Sequence, residues 1–201
     1  AISAGLLLYR RVSGPDAGER RLEVLLVHPG GPYWAKRDAG AWSIPKGEAE
    51  PDELGAGPAA PDELGAGSAA PPEPWRRPPK AKPRLNAAAA DLLAVARREF
   101  REETGLDLDA VAAPGAAFVP LGGVKQRGHK IVYVWALEGD CDASAVRGNE
   151  FEMEWPPRSG RTAAFPEVDR AAWFGLEEAR EKLVTAQRRF LDDLAAVAGA
   201  S

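Results

Sequence analysis

The sequence predicts an α/β fold, and three observations carry that expectation. Two short apolar runs, I-S-A-G-L-L-L-Y-R at Ile2–Arg10 and L-E-V-L-L-V-H at Leu22–His28, are separated by the turn-rich S-G-P-D-A-G; length and bounding residues suit strands. From Asn86 to Thr104 the pattern turns helical, with Leu93, Ala96 and Phe100 in register as an apolar stripe. Beyond it, A-F-V-P-L-G-G-V and K-I-V-Y-V-W-A-L run apolar again before two further helical stretches. Strands therefore precede, follow and flank a helix within one chain.

In order, the first two runs lead into P-G-G-P-Y-W-A-K-R-D-A-G, a loop by its Gly and Pro content. It sets Tyr33 and Trp34 beside Lys36 and Arg37, a pairing of rings and cations that suits a base and its phosphates, and Trp34 is taken as a substrate-binding candidate. Next comes W-S-I-P-K-G-E at Trp42–Glu48, read as a strand end and turn. From about residue 50 to 86 the composition shifts to Pro, Ala and Gly, and P-D-E-L-G-A-G-P-A-A is followed at once by P-D-E-L-G-A-G-S-A-A. Two copies are too few for a solenoid, and the unit has too little apolar surface to fold. The segment is read as an insertion whose ends can meet in space, because closure entropy grows slowly with length. Its second part concentrates Arg76, Arg77, Lys80, Lys82 and Arg84 just ahead of the helix, read either as a solvated linker or as a set of cations for a substrate's outer phosphates.

The helix opens with Asn86 as its expected N-cap and ends at Gly105, where a left-handed cap is cheapest for glycine. G-G-V-K-Q-R-G-H then reads as a hairpin connection; its G-x-x-x-x-G spacing is not a phosphate loop, since His129 stands where lysine is required. Residues 148–161 read as a loop by their Pro and Gly content, carrying Glu150, Glu152, Glu154, Arg158 and Arg161. F-P-E-V-D-R-A-A-W-F-G-L-E-E-A-R is a short strand entering a helix, and a last helix carries Phe190, Leu191 and Leu194.

With 201 residues the chain suffices for one domain, 1–201, interrupted by the insertion. The net charge of -4 and pI near 5.4 argue against polymeric nucleic acid as a partner, while a small anionic nucleotide needs only a local positive site. The single Cys141 cannot form an internal disulfide, and no apolar run reaches the length of a membrane span. The N-terminus lacks the pattern of a signal peptide, so a soluble, cytoplasmic protein is expected; the chain begins at Ala1 rather than Met, so residues ahead of it are expected to be missing. The sequence sets no oligomeric state. His28 and His129 are lone histidines with structural or surface roles expected.

The chemistry concentrates in R-R-E-F-R-E-E-T-G-L at Arg97–Leu106. Glu99, Glu102 and Glu103 stand at i, i+3 and i+4 on one helix face, where like charges repel, so a cation is expected among them. Oxygen ligands without Cys or His suit a hard divalent ion such as Mg2+ or Mn2+. This decamer resembles the second half of the Nudix box, which runs Gly, five residues, Glu, seven residues, then R-E-U-x-E-E-x-G-U with U apolar. Arg98, Glu99, Phe100, Glu102, Glu103, Gly105 and Leu106 match it without a gap. Counted back from Arg98, the box glutamate falls on Ala90 and the leading glycine on Arg84, both departures. Gly47 of P-K-G looks like that glycine, separated from its helix by the insertion. The spacing of Glu167 and Trp173, with L-E-E-A following, is similar to Nudix enzymes that hydrolyse dinucleoside polyphosphates.

The resemblance implies an alpha/beta/alpha sandwich around a mixed sheet. It implies divalent-metal-dependent hydrolysis of a pyrophosphate bond in a nucleoside diphosphate linked to another group, dinucleoside polyphosphates favoured over nucleoside triphosphates or ADP-ribose. Glu99, Glu102, Glu103 and the Gly47 carbonyl are the expected metal ligands. Glu99 and Glu167 are candidates for the base, with Glu152 behind Glu167, and Arg98 for orienting carboxylates. Lys46, Arg158 and Arg161 would meet phosphate. The alternative is a catalytically weak nucleotide-binding or regulatory module of the same fold, for which Ala90 and the insertion would speak.

Overall fold

The computed structural model describes residues 1–14, 18–50, 53, 87–126, 128 and 130–199, with the side chains of 87–90 left out. The Asn86 cap, the duplicated segment with its run of arginines and lysines, and His129 lie outside the described residues.

β1 (Ile2–Ser13) is the axis of a six-stranded sheet. It runs parallel to β5 (Ile131–Glu138) along one edge, from Ile2 opposite Ile131 to Tyr9 opposite Glu138. Its other edge is shared. Residues 3–5 pair antiparallel with β3 (Lys46–Glu48), and residues 9–13 pair antiparallel with β2 (Arg20–Pro29). β4 (Val119–Lys125) completes the β5 side and β8 (Val168–Gly175) the β2 side, giving the order β4-β5-β1-β2-β8 with β3 on β1. The one parallel pairing among antiparallel ones makes the sheet mixed.

Period-two alternation along β1 divides its side chains between two cores. Ala4, Leu6 and Leu8 face α1 (Ala87–Thr104) and meet Leu92, Val95, Ala96 and Phe100. Leu7 and Tyr9 face the opposite way, toward Leu183 and toward Phe190, Leu191 and Leu194 of α4 (Arg189–Ala198). Ala179 of α3 (Leu176–Lys182) joins that second layer. Helices thus cover both faces, the sandwich expected from the sequence. A short helix, α2 (Leu108–Val111), follows α1 with Asp107 accepting the Asp109 N–H as its cap.

Two local readings are corrected. G-G-V-K belongs to β4 rather than to a connection, and only residues 126–130 join it to β5. Residues 148–161 are not a plain loop: Glu150–Glu154 form β6, which pairs antiparallel with β7 (Thr162–Pro166) as a separate hairpin. The alternation E-F-E-M-E-W carries the strand signal, with Phe151, Met153 and Trp155 on one face and the glutamates on the other. The Pro and Gly residues at 156–160 form only its tip.

His28 is wholly buried, its Nδ1 2.7 Å from an Asp169 carboxylate oxygen and its Nε2 2.7 Å from the Arg37 carbonyl. It ties β2 to the start of β8 and to the loop after β2, which is a structural role. Cys141 is half-buried, and burial pushes its thiol up to about 11. No described helix is long and apolar enough to cross a membrane.

Candidate active site

The site is assembled where the C-terminal half of α1 meets β3. Phe100 is fully buried on the sheet side, and this fixes the rotation of the helix that carries Glu99, Glu102 and Glu103. The helix ends firmly. Gly105 adopts φ 70°, its N–H reaches the Arg101 carbonyl, and the Thr104 hydroxyl donates to the Phe100 carbonyl. A side chain at Gly105 would also run into the Arg147 carbonyl, 2.4 Å from the Cβ position. Two carbonyls of the last turn, otherwise without partners, are taken by the segment entering β6: Arg147 N–H donates to Thr104 and Asn149 N–H to Glu102.

β3 presents its backbone to this helix face. The Glu99 carboxylate lies directly over Gly47, with Oε2 1.7 Å from where a Cβ would stand. Only glycine admits that approach. One residue earlier, the Lys46 N–H donates to Glu103 Oε2 at 2.8 Å. Glu99 is 12 % exposed at its side chain, and burial raises its carboxyl above the ordinary value. Burial pushes Glu103 further, to about 7, with the Lys46 cation opposing and the charges of Glu99 and Glu167 adding to the rise. The same burial lowers the Lys46 ammonium, against the pull of Glu103 and Glu99.

Arg98 organises the remaining carboxylates. Its Nε and Nη2 donate to the two oxygens of Glu53, both at 2.9 Å, a bidentate fork. Its Nη1 reaches Glu102 Oε2 at 3.0 Å and Glu99 Oε1 at 2.8 Å. The Glu53 hydrogen bond and these neighbouring charges together hold the guanidinium pKa well above its ordinary value. Glu53 is itself fixed by a turn in which its N–H donates to the Glu50 carbonyl and its carboxylate accepts the Glu50 N–H.

Glu53 corrects the reading of Ala90 as the missing box glutamate. Counting back from Arg98 runs through the inserted segment; counting forward from Gly47, five residues lead to Glu53. The glycine-to-glutamate half of the pattern is therefore intact, and the insertion follows it. The forward count was available in the sequence.

Glu167 stands between β7 and β8, exposed, with its N–H on the Asn149 carbonyl and its own carbonyl taking the Gly30 N–H. Its charge adds to the rise of the Glu103 carboxyl. Glu150, Glu152 and Glu154 point outward from the hairpin, and Glu154 accepts the Gly160 N–H. Arg158, at φ 64°, and Arg161 lie exposed at the hairpin tip. Trp34 is half-buried against the core that faces α4, with the Arg37 guanidinium 5.3 Å from its ring, while the neighbouring Tyr33 is 58 % exposed. A shallow cleft lined by Arg10, Arg11, Ala110, Pro114 and Asp140 is separate from these residues. Its arginines are already engaged, Arg10 by Glu23 and Asp140 and Arg11 by Glu138 and the Ala198 carbonyl.

The donors fit a hard divalent cation in kind: glutamate oxygens around a glycine backbone, with no Cys or His ligand required. Among the described residues no three of them converge on one point, because Arg98 occupies the space between Glu53, Glu99 and Glu102 and the Lys46 N–H holds Glu103.

The sequence pattern of the NUDIX domain matches residues 84–194, more than half of the 201. The chain belongs to the Nudix family, and its enzyme class is that of a Nudix pyrophosphohydrolase. A similar solved structure agrees on the fold, and two more are reported for comparison. A C. elegans Ap4A hydrolase in a binary complex superposes with a TM-score of 0.52 at 16 % identity, covering 99 % of both chains. A mutT/nudix family protein from Listeria innocua gives 0.48 at 14 % identity over 99 % of this chain and 94 % of its own. The NUDIX domain of Shewanella oneidensis NrtR, complexed with ADP ribose, gives 0.47 at 13 % over 100 % and 88 %. No curated protein sequence matches the chain.

Proposed function

We propose that the protein is a divalent-metal-dependent hydrolase of nucleoside diphosphates linked to another group, with dinucleoside polyphosphates favoured and nucleoside triphosphates or ADP-ribose next. The observation that carries this is the Glu99 carboxylate lying on the bare Cα of Gly47, with Glu103 on the adjoining N–H. That contact sets two helix carboxylates against one backbone edge across the insertion. Glu99, Glu102, Glu103 and the Gly47 carbonyl are the groups to hold Mg2+ or Mn2+. When bound, the ion neutralises phosphate charge and makes a water acidic enough to attack phosphorus.

The protein's own groups supply the rest. Arg98, gripped by Glu53, holds Glu99 and Glu102 in place rather than touching substrate. Glu167, exposed and acting on Glu103 through its charge, is the first choice to take the proton of the attacking water, with Glu99 next. Lys46, Arg158 and Arg161 meet phosphate oxygens as cations, whereas the packing of Trp34 against the α4-side core speaks against its contacting the nucleotide. The preference for dinucleoside polyphosphates is supported by the Glu167–Trp173 spacing. With Glu53 in place, the main argument for a catalytically weak module falls away. One domain spanning 1–201, acting in the cytoplasm, remains the reading that suits this function.

The test is a panel of dinucleoside polyphosphates, nucleoside triphosphates, ADP-ribose and nucleotide sugars with Mg2+ or Mn2+, read for phosphate products. Turnover that collapses in Glu102→Gln and Glu103→Gln is expected. No turnover on any member, or turnover indifferent to those substitutions, overturns the proposal.

A further inference from the structure

We propose that Tyr33 and Trp155 form a stacking platform for the substrate's nucleobase, a proposal that rests on the hydrolase reading above. Tyr33, at 58 % exposed, and Val197 are the two exposed large hydrophobic side chains among the described residues. Leaving an aromatic ring in water forgoes the gain from burial, so its fixed placement calls for a cause. The Tyr33 ring meets Trp155 edge-on, centroids 5.6 Å apart and planes at 86°. Trp155 is backed by Phe165 at 6.5 Å and 89°, and Phe165 by Phe151 at 6.2 Å. The Phe151 ring lies against Gly31, its Cζ 3.2 Å from the Cβ position there. Loop and hairpin thus form one aromatic wall ending in an exposed ring.

The wall is anchored at the active site. Gly30 N–H donates to the Glu167 carbonyl, and Pro166 O stands 1.9 Å from where a Cβ on Gly30 would be, so the two backbones are in contact just ahead of Tyr33. From Phe151, at the base of the hairpin, to Trp155 the strand rises about 13 Å at roughly 3.3 Å per residue. That rise, along the strand that carries the rings, is on the scale of one nucleotide. Lys36, Arg158 and Arg161 flank the rings in sequence and form no ion pair among the described residues, which favours an anionic ligand over an apolar one. A base stacked on Tyr33 would need no particular edge, since every base has a π face.

The test compares diadenosine tetraphosphate with ribose 5-triphosphate, which has the phosphates and no base, on the full chain with Mg2+. Tyr33→Ala should raise KM for diadenosine tetraphosphate about ten-fold, the scale of one lost stacking contact, with kcat within about two-fold. Tyr33→Phe should behave as the parent, Trp155→Leu should reproduce Tyr33→Ala, and KM for ribose 5-triphosphate should not move. A Tyr33→Ala protein with unchanged KM, or with both KM values raised alike, overturns the platform. If the parent hydrolyses neither compound, the hydrolase reading fails and calorimetric binding of diadenosine tetraphosphate decides the platform separately. An approximately ten-fold loss of affinity in Tyr33→Ala supports it; equal affinity, or no binding by the parent, overturns it.

Discussion

The glutamate face of α1 and the aromatic face of the β6–β7 hairpin are built in opposite ways. The first gathers its chemistry within five consecutive positions, Glu99 to Glu103, and needs one distant residue type, glycine at 47, to admit it. The second draws single rings from positions 33, 151, 155 and 165, none of which is informative alone. The first is expected to govern the chemical step, because its carboxylates are where charge and proton are handled. The second is expected to govern affinity for one part of the substrate.

The largest expected effect lies on α1. Glu103→Gln should lower kcat by about 100-fold or more, measured on whichever nucleotide is turned over best, with KM changed far less. Gly47→Ala comes next. A Cβ 1.7 Å from Glu99 Oε2 must displace that carboxylate, and a shift of about 1 Å at such a position costs on the order of 100-fold in kcat/KM. A fall in kcat/KM of less than three-fold would break the claim that this contact sets the metal ligands. Glu53→Gln should lower Mn2+ affinity by about 10-fold, read by calorimetry, because Arg98 loses its bidentate anchor and its hold on Glu99 and Glu102 loosens.

The smallest effect is one of stability. In metal-free protein Glu103 titrates at about 7 against an ordinary 4.5, so between those values the folded state binds a proton that the unfolded state does not. Stability from this group therefore falls as pH rises from about 4.5 to 7 and is level outside that window. Chemical denaturation of the metal-free protein should show that decline, and Glu103→Gln should flatten it and be the more stable protein at pH 8. A Glu103→Gln protein with the same slope would place the titrating group elsewhere.

The same contrast explains what was legible from the sequence. The α/β class, the first two strands and the helix follow from runs that signal their own conformation, and the glutamate spacing singles out the helix face by itself. Glu53 was missed for an arithmetic reason with a physical root: the pattern was counted through the insertion, whereas Arg98 finds its partner across space. The hairpin was hidden because the Pro and Gly residues of its tip outweighed the alternation at Phe151, Met153 and Trp155. Tyr33 could not be separated from Trp34 in the sequence. Both are aromatic residues in one loop, and only the packing of Trp34 against the α4-side core leaves Tyr33 as the exposed ring.

The Arg98–Glu53 fork and the Glu99–Gly47 contact have one more consequence. They, with the β1–β3 ladder, fasten the two halves of the site to each other without using the chain that runs between Glu53 and α1. On these contacts the two halves are expected to stay together without the covalent link once the protein has folded. A nick introduced there by an engineered protease site should leave two pieces that stay associated and still turn over, and the lesion should show only when the protein is asked to refold.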